Sequence, residues 1–147
     1  MPVRTDASSW TAAKAVGDAA ELAVARWWMG RGFTAYKTVG HADHDLCVSA
    51  QVEVKADLLA PRTGRFAIEV EYNGRPSGLM TSPATYWALV LGDTALLVRT
   101  PALRRLALAP AWPAVQGGDG RKSTLRLVDV SAVRNLPGVR QVRLDGA

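Results

Sequence analysis

The chain has 147 residues, 48% of them hydrophobic, and a formal charge of +5 at neutral pH. That length suits a single domain over residues 1–147, and this composition excludes disorder, collagen and coiled coil as readings of the whole chain. The single cysteine, Cys47, rules out an intramolecular disulfide and a cysteine-built zinc site. No apolar run reaches the roughly 18 residues of a membrane helix, and residues 1–10 lack a hydrophobic signal core, so a cytoplasmic protein with no membrane partner is expected.

In chain order, Val16, Ala20, Ala23, Val24 and Trp27 recur at spacings of three and four, which predicts a helix over residues 12–29. Ser8 or Ser9 would cap its start, and Gly30 or Gly32 would end it. A short strand is expected over 33–39 and a polar turn over 40–44. Two strands, 45–49 and 51–57, follow so closely that a hairpin or a bent continuation is expected. Pro61 and Gly64 mark a loop over 58–64. Residues 65–72 alternate, with Phe66, Ile68, Val70 and Tyr72 on one face and Arg65, Ala67, Glu69 and Glu71 on the other. A turn over 73–78 leads to a short helix beginning at Thr81-Ser82-Pro83. Strands over 86–91 and 95–99 flank Gly92-Asp93, and a second helix spans 102–108. A loop rich in proline and glycine covers 110–122, and a strand spans 124–130. The last fifteen or so residues carry no clear pattern. The sum is an α/β domain with a mixed, mostly antiparallel central sheet flanked by helices.

Chemistry begins at Glu53-Val54-Lys55. Residues two apart on a strand share a side, so Glu53 and Lys55 are presented together while Val54 turns into the core. Asp45 lies eight residues earlier, and a tight turn between the strands would bring it beside Glu53. Two carboxylates and a main-chain carbonyl, that of Val54, form a hard oxygen site suited to magnesium, with Lys55 placed to hold or polarise water. The apolar flanks Val39, Leu46, Val48, Val52 and Val54 place these charges in a segment that otherwise reads as core, where charge is costly unless paired or metal-bound. Glu21 sits mid-helix among small residues, with Gly17 and Ala25 one turn to either side. It reads either as a carboxylate serving a metal site or as an ordinary surface glutamate.

Basic residues point to a partner. Residues 76–147 hold nine Lys/Arg against four Asp/Glu, and all nine except Lys122 are arginine, whose planar fork suits phosphate. Lys37, Arg62, Arg65 and Arg75 rim the candidate site in sequence and are assigned to DNA backbone contacts. Ser77-Gly78 offers a hydroxyl and amides for phosphate, or is an ordinary turn. His41 and His44 either approach the phosphate or metal or are simply exposed. Trp27 and Trp28 point to different faces, so one is core and the other is available for a dimer interface. Cys47 reads as a small buried hydrophobe.

Gly17-x-x-x-Glu21, Gly32-Phe33, Asp45 and Glu53-x-Lys55, in this order and spacing, resemble the PD-(D/E)xK nuclease superfamily, most of all its Holliday-junction resolvase branch. The stretch Ile68-Glu69-Val70-Glu71-Tyr72, Pro76-Ser77-Gly78, Thr81 and Ala84-Thr85-Tyr86-Trp87 is similar to small phage-type endonucleases of that superfamily. The resemblance covers residues 14–91, and His44 stands where the motif's proline would be. It implies a restriction-endonuclease-like core and a Mg2+-dependent endonuclease acting as a homodimer on four-way DNA junctions, with Mn2+ able to substitute. For a phage-encoded protein the location would be host cytoplasm. The resemblance makes Asp45 and Glu53 metal ligands and Lys55 the residue that orients or activates water. It makes Glu21 a ligand through water or an orienter of Lys55. Glu69 or Glu71 would add a carboxylate near the metal, or both simply face solvent. The alternatives are a nuclease of duplex or single-stranded DNA without junction preference, and a DNA-binding module of the same fold without catalysis.

Overall fold

The computed structural model describes residues 7–38 and 45–144. The chain is α/β, with mixed and antiparallel sheets and a few helices, and it divides into two compact units, one ending at Ala50 and one beginning at Gln51.

The first unit holds α1 (Ala7–Met29), β1 (Thr34–Lys37) and β2 (Leu46–Ser49). The helix runs straight through Ser8 and Ser9, so neither caps it, and the helical run of small and apolar residues extends further back than the periodicity alone implied. Its end matches the glycine signal. Gly30 N–H donates to Arg26 O, and Gly32, at φ +84°, donates to Met29 O and turns the chain into β1. There Trp28 packs edge-on against Phe33, with ring centroids 5.0 Å apart. β1 and β2 form an antiparallel hairpin, Thr34 opposite Ser49 and Lys37 opposite Leu46, closed by Thr38 N–H on Asp45 O at 3.0 Å.

The second unit builds two sheets around one core. The mixed sheet has the order β10 (Arg140–Arg143), β7 (Thr94–Arg99), β6 (Tyr86–Leu91), β3 (Val52–Ala56), with β3 parallel to β6 and the other pairs antiparallel. The antiparallel sheet has the order β5 (Arg75–Pro76), β4 (Arg65–Tyr72), β9 (Ser123–Asp129), β8 (Ala114–Gly117). Phe66, Ile68 and Val128 of one sheet and Trp87, Leu89, Leu96 and Val98 of the other form the core, joined by Leu103 and Ala107 of α3 (Thr100–Ala107) and Val133 of α4 (Val130–Arg134). A single helical turn, α2 (Ala60–Thr63), links β3 to β4 and buries Ala60. No helix among the described residues is long and apolar enough to cross a membrane.

Several elements depart from the sequence reading. β2 pairs with β1 and β3 pairs with β6, in place of a tight hairpin between β2 and β3. Instead of a helix from Thr81, a 3-10 turn spans Gly78–Met80 and the chain then reaches β6 without regular structure, with Ser82 Oγ accepting from Trp87 Nε1. The stretch expected as a loop contains β8, because β9 offers a ladder edge there. Tyr72 is exposed although Phe66, Ile68 and Val70 are buried, since a register shift between Glu69 and Glu71 reverses the alternation.

Candidate active site

β3 is the edge strand of the mixed sheet, and its register with β6 fixes which way its charges face. Glu53 lies opposite Trp87 and Lys55 opposite Leu89, and both β6 partners belong to the core. Paired residues share a side of a sheet, so the charged alternation lies on the core side of the mixed sheet. Val52 and Val54 take the other side and are 47% and 63% exposed. This reverses the expectation that Val54 turns inward. Glu53 is exposed, and Lys55, closer to the core, is half-buried.

On β4, Glu69 is fixed at both carboxylate oxygens. Ser77 Oγ donates to Oε1 at 2.7 Å and Ser123 Oγ donates to Oε2 at 2.7 Å. The Ser77 hydroxyl bond, then that of Ser123, hold the Glu69 carboxyl below its usual range; partial burial opposes this, and the positive charge of Lys55 adds to it. Ser77 reaches Glu69 because Gly78, at φ +54°, lets the chain press onto β4. A Cβ there would stand 2.5 Å from Glu69 O and 2.9 Å from Glu69 Cβ. The turn is held from behind by Arg104, which donates to Leu79 O at 2.8 Å and Ser82 O at 2.6 Å. The Ser77 hydroxyl therefore serves Glu69, and its backbone N–H donates to Val70 O.

Asp57, just after β3, ties this region together. Its Oδ1 accepts from the N–H groups of Leu59 and Ala60, and its Oδ2 accepts from Ala67 N–H of β4 at 2.9 Å. Two residues back along β3 is Lys55, and two residues forward along β4 is Glu69.

In the first unit, Asp45 stands exposed at the foot of β2. Glu21 is half-buried on α1, and its Oε2 lies 2.8 Å from Lys37 Nζ, an ion pair off the hydrogen-bond direction. Lys37 also binds Asp18, which Lys14 pairs at 2.8 Å from one turn away. The bonds from Lys14 and then Lys37 hold the Asp18 carboxyl down at about 2, and Asp18 and then Glu21 push the Lys37 ammonium well above its ordinary value. A cavity of about 180 Å³ lies among Asp18, Glu21, Ala25, Tyr36, Lys37 and Leu46. Lys37, read as a DNA contact, thus already neutralises two carboxylates. A Cβ on Gly17 would meet nothing within 4 Å among the described residues, so the small face does not serve close approach there. Cys47 is half-buried across the ladder from Tyr36, and a hydrogen bond with it raises the Tyr36 hydroxyl's pKa. Trp27 is half exposed and carries the Arg31 guanidinium 3.5 Å above its ring.

Of the remaining basic candidates, Arg62 and Arg75 are exposed, while Arg65 Nε donates to Asp129 at 3.0 Å. Two arginines of the basic C-terminal half serve the fold: Arg104 as above, and Arg126, which donates to Trp112 O at 3.0 Å. Val39, His41 and His44 lie outside the described residues. Sequence reasoning missed Asp57, Ser123, Asp18 and Arg104. An Asp two residues before a Leu-Ala-Pro turn is a readable signal for Asp57; the partners of Ser123 and Arg104 are distant in sequence and leave none.

A hard cation needs oxygen donors that are not already engaged. Among the described residues, Asp18, Glu21, Asp57, Glu69, Asp93 and Asp129 each have a protein partner. Asp45, Glu53 and Glu71 have none there, and each offers only oxygen donors. No group of three or more His, Cys, Asp or Glu side chains gathers as a metal cluster among the described residues.

Compared with protein-family models, with curated proteins and with solved structures, the chain matches none.

Proposed function

We propose that this chain is a magnesium-dependent endodeoxyribonuclease of the PD-(D/E)xK type, with a restriction-endonuclease-like core, that cuts branched DNA as a homodimer. The observation that supports the reading is Glu53 and Lys55 side by side on the core-side face of an edge strand. Glu53 and the Val54 carbonyl are groups that would hold magnesium, and Asp45 is the further ligand that the family resemblance implies. A magnesium ion held there would supply a water of lowered pKa and offset negative charge on the phosphate. Lys55 donates a hydrogen bond that holds the attacking water in line with the scissile phosphorus. Arg62 and Arg75 position the DNA backbone, and a dimer sets two such sites on two strands.

Asp45→Asn and Glu53→Gln test the assignment, since each removes a charge with little change in volume. Each variant should keep the fold, retain or tighten DNA binding, and lose cleavage in magnesium. Full cleavage by either one removes that residue from the site.

A further inference from the structure

A cleft of about 540 Å³ opens between α2 and α4, lined by the buried Ala60 and Val130 and by the polar side chains of Arg65, Asp129, Ser131 and Arg134. Its backbone is tied: Gly64 O, at the end of α2, accepts from Val130 N–H at the start of α4 at 2.9 Å. Arg65 and Asp129 face each other across the β4–β9 ladder. Arg65 Nε donates to Asp129 Oδ1 at 3.0 Å, which fixes the plane of the guanidinium. Its two terminal NH2 groups make no bond among the described residues. Arg134, in the last turn of α4, is exposed and has no side-chain partner among the described residues. The cleft therefore sets two guanidinium cations against one carboxylate. The unbalanced positive charge matches the single negative charge of a phosphodiester. Arginine forks donate paired hydrogen bonds to phosphate oxygens, and the exposed Ser131 hydroxyl adds one more donor. The tetrahedral oxygens of a phosphate accept from two directions at once, here from the sheet and from α4.

We propose that this cleft is a phosphate-binding site, and, resting on the nuclease reading, that it holds one backbone phosphate of DNA: Arg65, set by Asp129, grips the phosphate from β4, and Arg134 grips it from α4. The ion pair with Asp129 thus orients Arg65 and does not consume it, since the bond uses Nε and leaves the terminal donors. No residue of β3 lines the cleft, so the contact is separate from Glu53 and Lys55. It anchors the duplex and reads no base.

The test follows the guanidinium groups themselves. Nitrogen-15 labelling of arginine reports the Nε–H groups, and Arg65→Lys and Arg134→Lys identify the two signals. Inorganic phosphate titrated into the wild-type protein should shift both along one saturating curve, with half-saturation on the order of 1 mM for two charge-assisted contacts. The exposed Arg105 of α3, which does not line the cleft, should stay unmoved. With a linear duplex, Arg134→Ala should weaken binding by about the same factor for every sequence and reduce the slope of log affinity against log salt by about one. Arg105→Ala should leave that slope unchanged. No saturation at Arg65 and Arg134, or an equal shift at Arg105, overturns the site. Saturation by phosphate with an unchanged duplex slope in Arg134→Ala overturns the DNA assignment and leaves a site for free phosphate. Saturation by phosphate in a protein that binds no DNA supports the phosphate site and defeats the nuclease reading instead.

Discussion

Gly78→Ala puts the seating of the 3-10 turn on β4 to a direct test. Gly78 has φ +54°, and an added Cβ would lie 2.5 Å from Glu69 O, a backbone atom of an eight-residue strand that cannot yield locally. Two costs combine. The left-handed backbone with a side chain costs about 1–2 kcal/mol, and forcing an extra methyl into a filled space costs about 1–3 kcal/mol. Gly74 supplies the control: it has φ +76°, and a Cβ there meets nothing within 4 Å, so Gly74→Ala carries the first cost alone. Gly78→Ala should therefore be destabilised by about 3 kcal/mol and Gly74→Ala by about 1–2 kcal/mol. For a chain of this size about 1 kcal/mol moves the thermal midpoint by roughly 3 °C, so the two variants should differ by about 5 °C in a melting experiment. If the turn instead lifts to relieve the contact, Ser77 leaves Glu69 and cleavage falls with it. Equal midpoints for the two variants, with Gly78→Ala fully active, would refute the close approach.

Other predictions follow from charge. Lys55→Ala should bind DNA and magnesium nearly as the wild type does, yet cut at least about 100-fold more slowly in single turnover, and Lys55→Arg should not restore the rate because a guanidinium is bulkier and carries its donors in a rigid planar fork. A rate within a few-fold of wild type would reduce Lys55 to a counter-ion. Asp18, lowered from 3.8 to about 2, contributes stability that is present above about pH 4 and is lost as pH falls through about 2. A carbon-13 carboxyl titration should find its midpoint near the lower value, and Lys14→Met should raise it; a midpoint near 4 in the wild type would dissolve the Lys14–Asp18–Lys37 cluster.

Local periodicity revealed what it physically encodes. The alternation from Phe66 to Val70 announced β4, because a strand with one face in the core must alternate, and the three-and-four spacing through Ala20 and Val24 announced α1. The stop at Gly32 was legible because a left-handed turn demands glycine. The parallel pairing of β3 with β6 was not legible, since its partners are more than thirty residues apart and no turn type specifies them. The register shift at Glu69 escaped for a related reason: a bulge is set by both strands together. At the site, the Glu-x-Lys pair announced itself through its charge, whereas the clamp on Glu69 comes from two serines, a residue type common in every loop. Their meaning depends on Gly78 and on the arrival of β9.

The central claim is that this chain cuts branched DNA with a metal, and the most direct measurement is nicking of an end-labelled four-way junction beside a linear duplex of matched sequence, with magnesium and with chelator. The account predicts magnesium-dependent, paired incisions near the branch point, strong on the junction and weak on the duplex, and absent with Glu53→Gln. Equal cutting of both substrates would contradict the junction preference and leave a general nuclease. No cutting of either, by a folded protein in saturating magnesium, would contradict the enzyme itself.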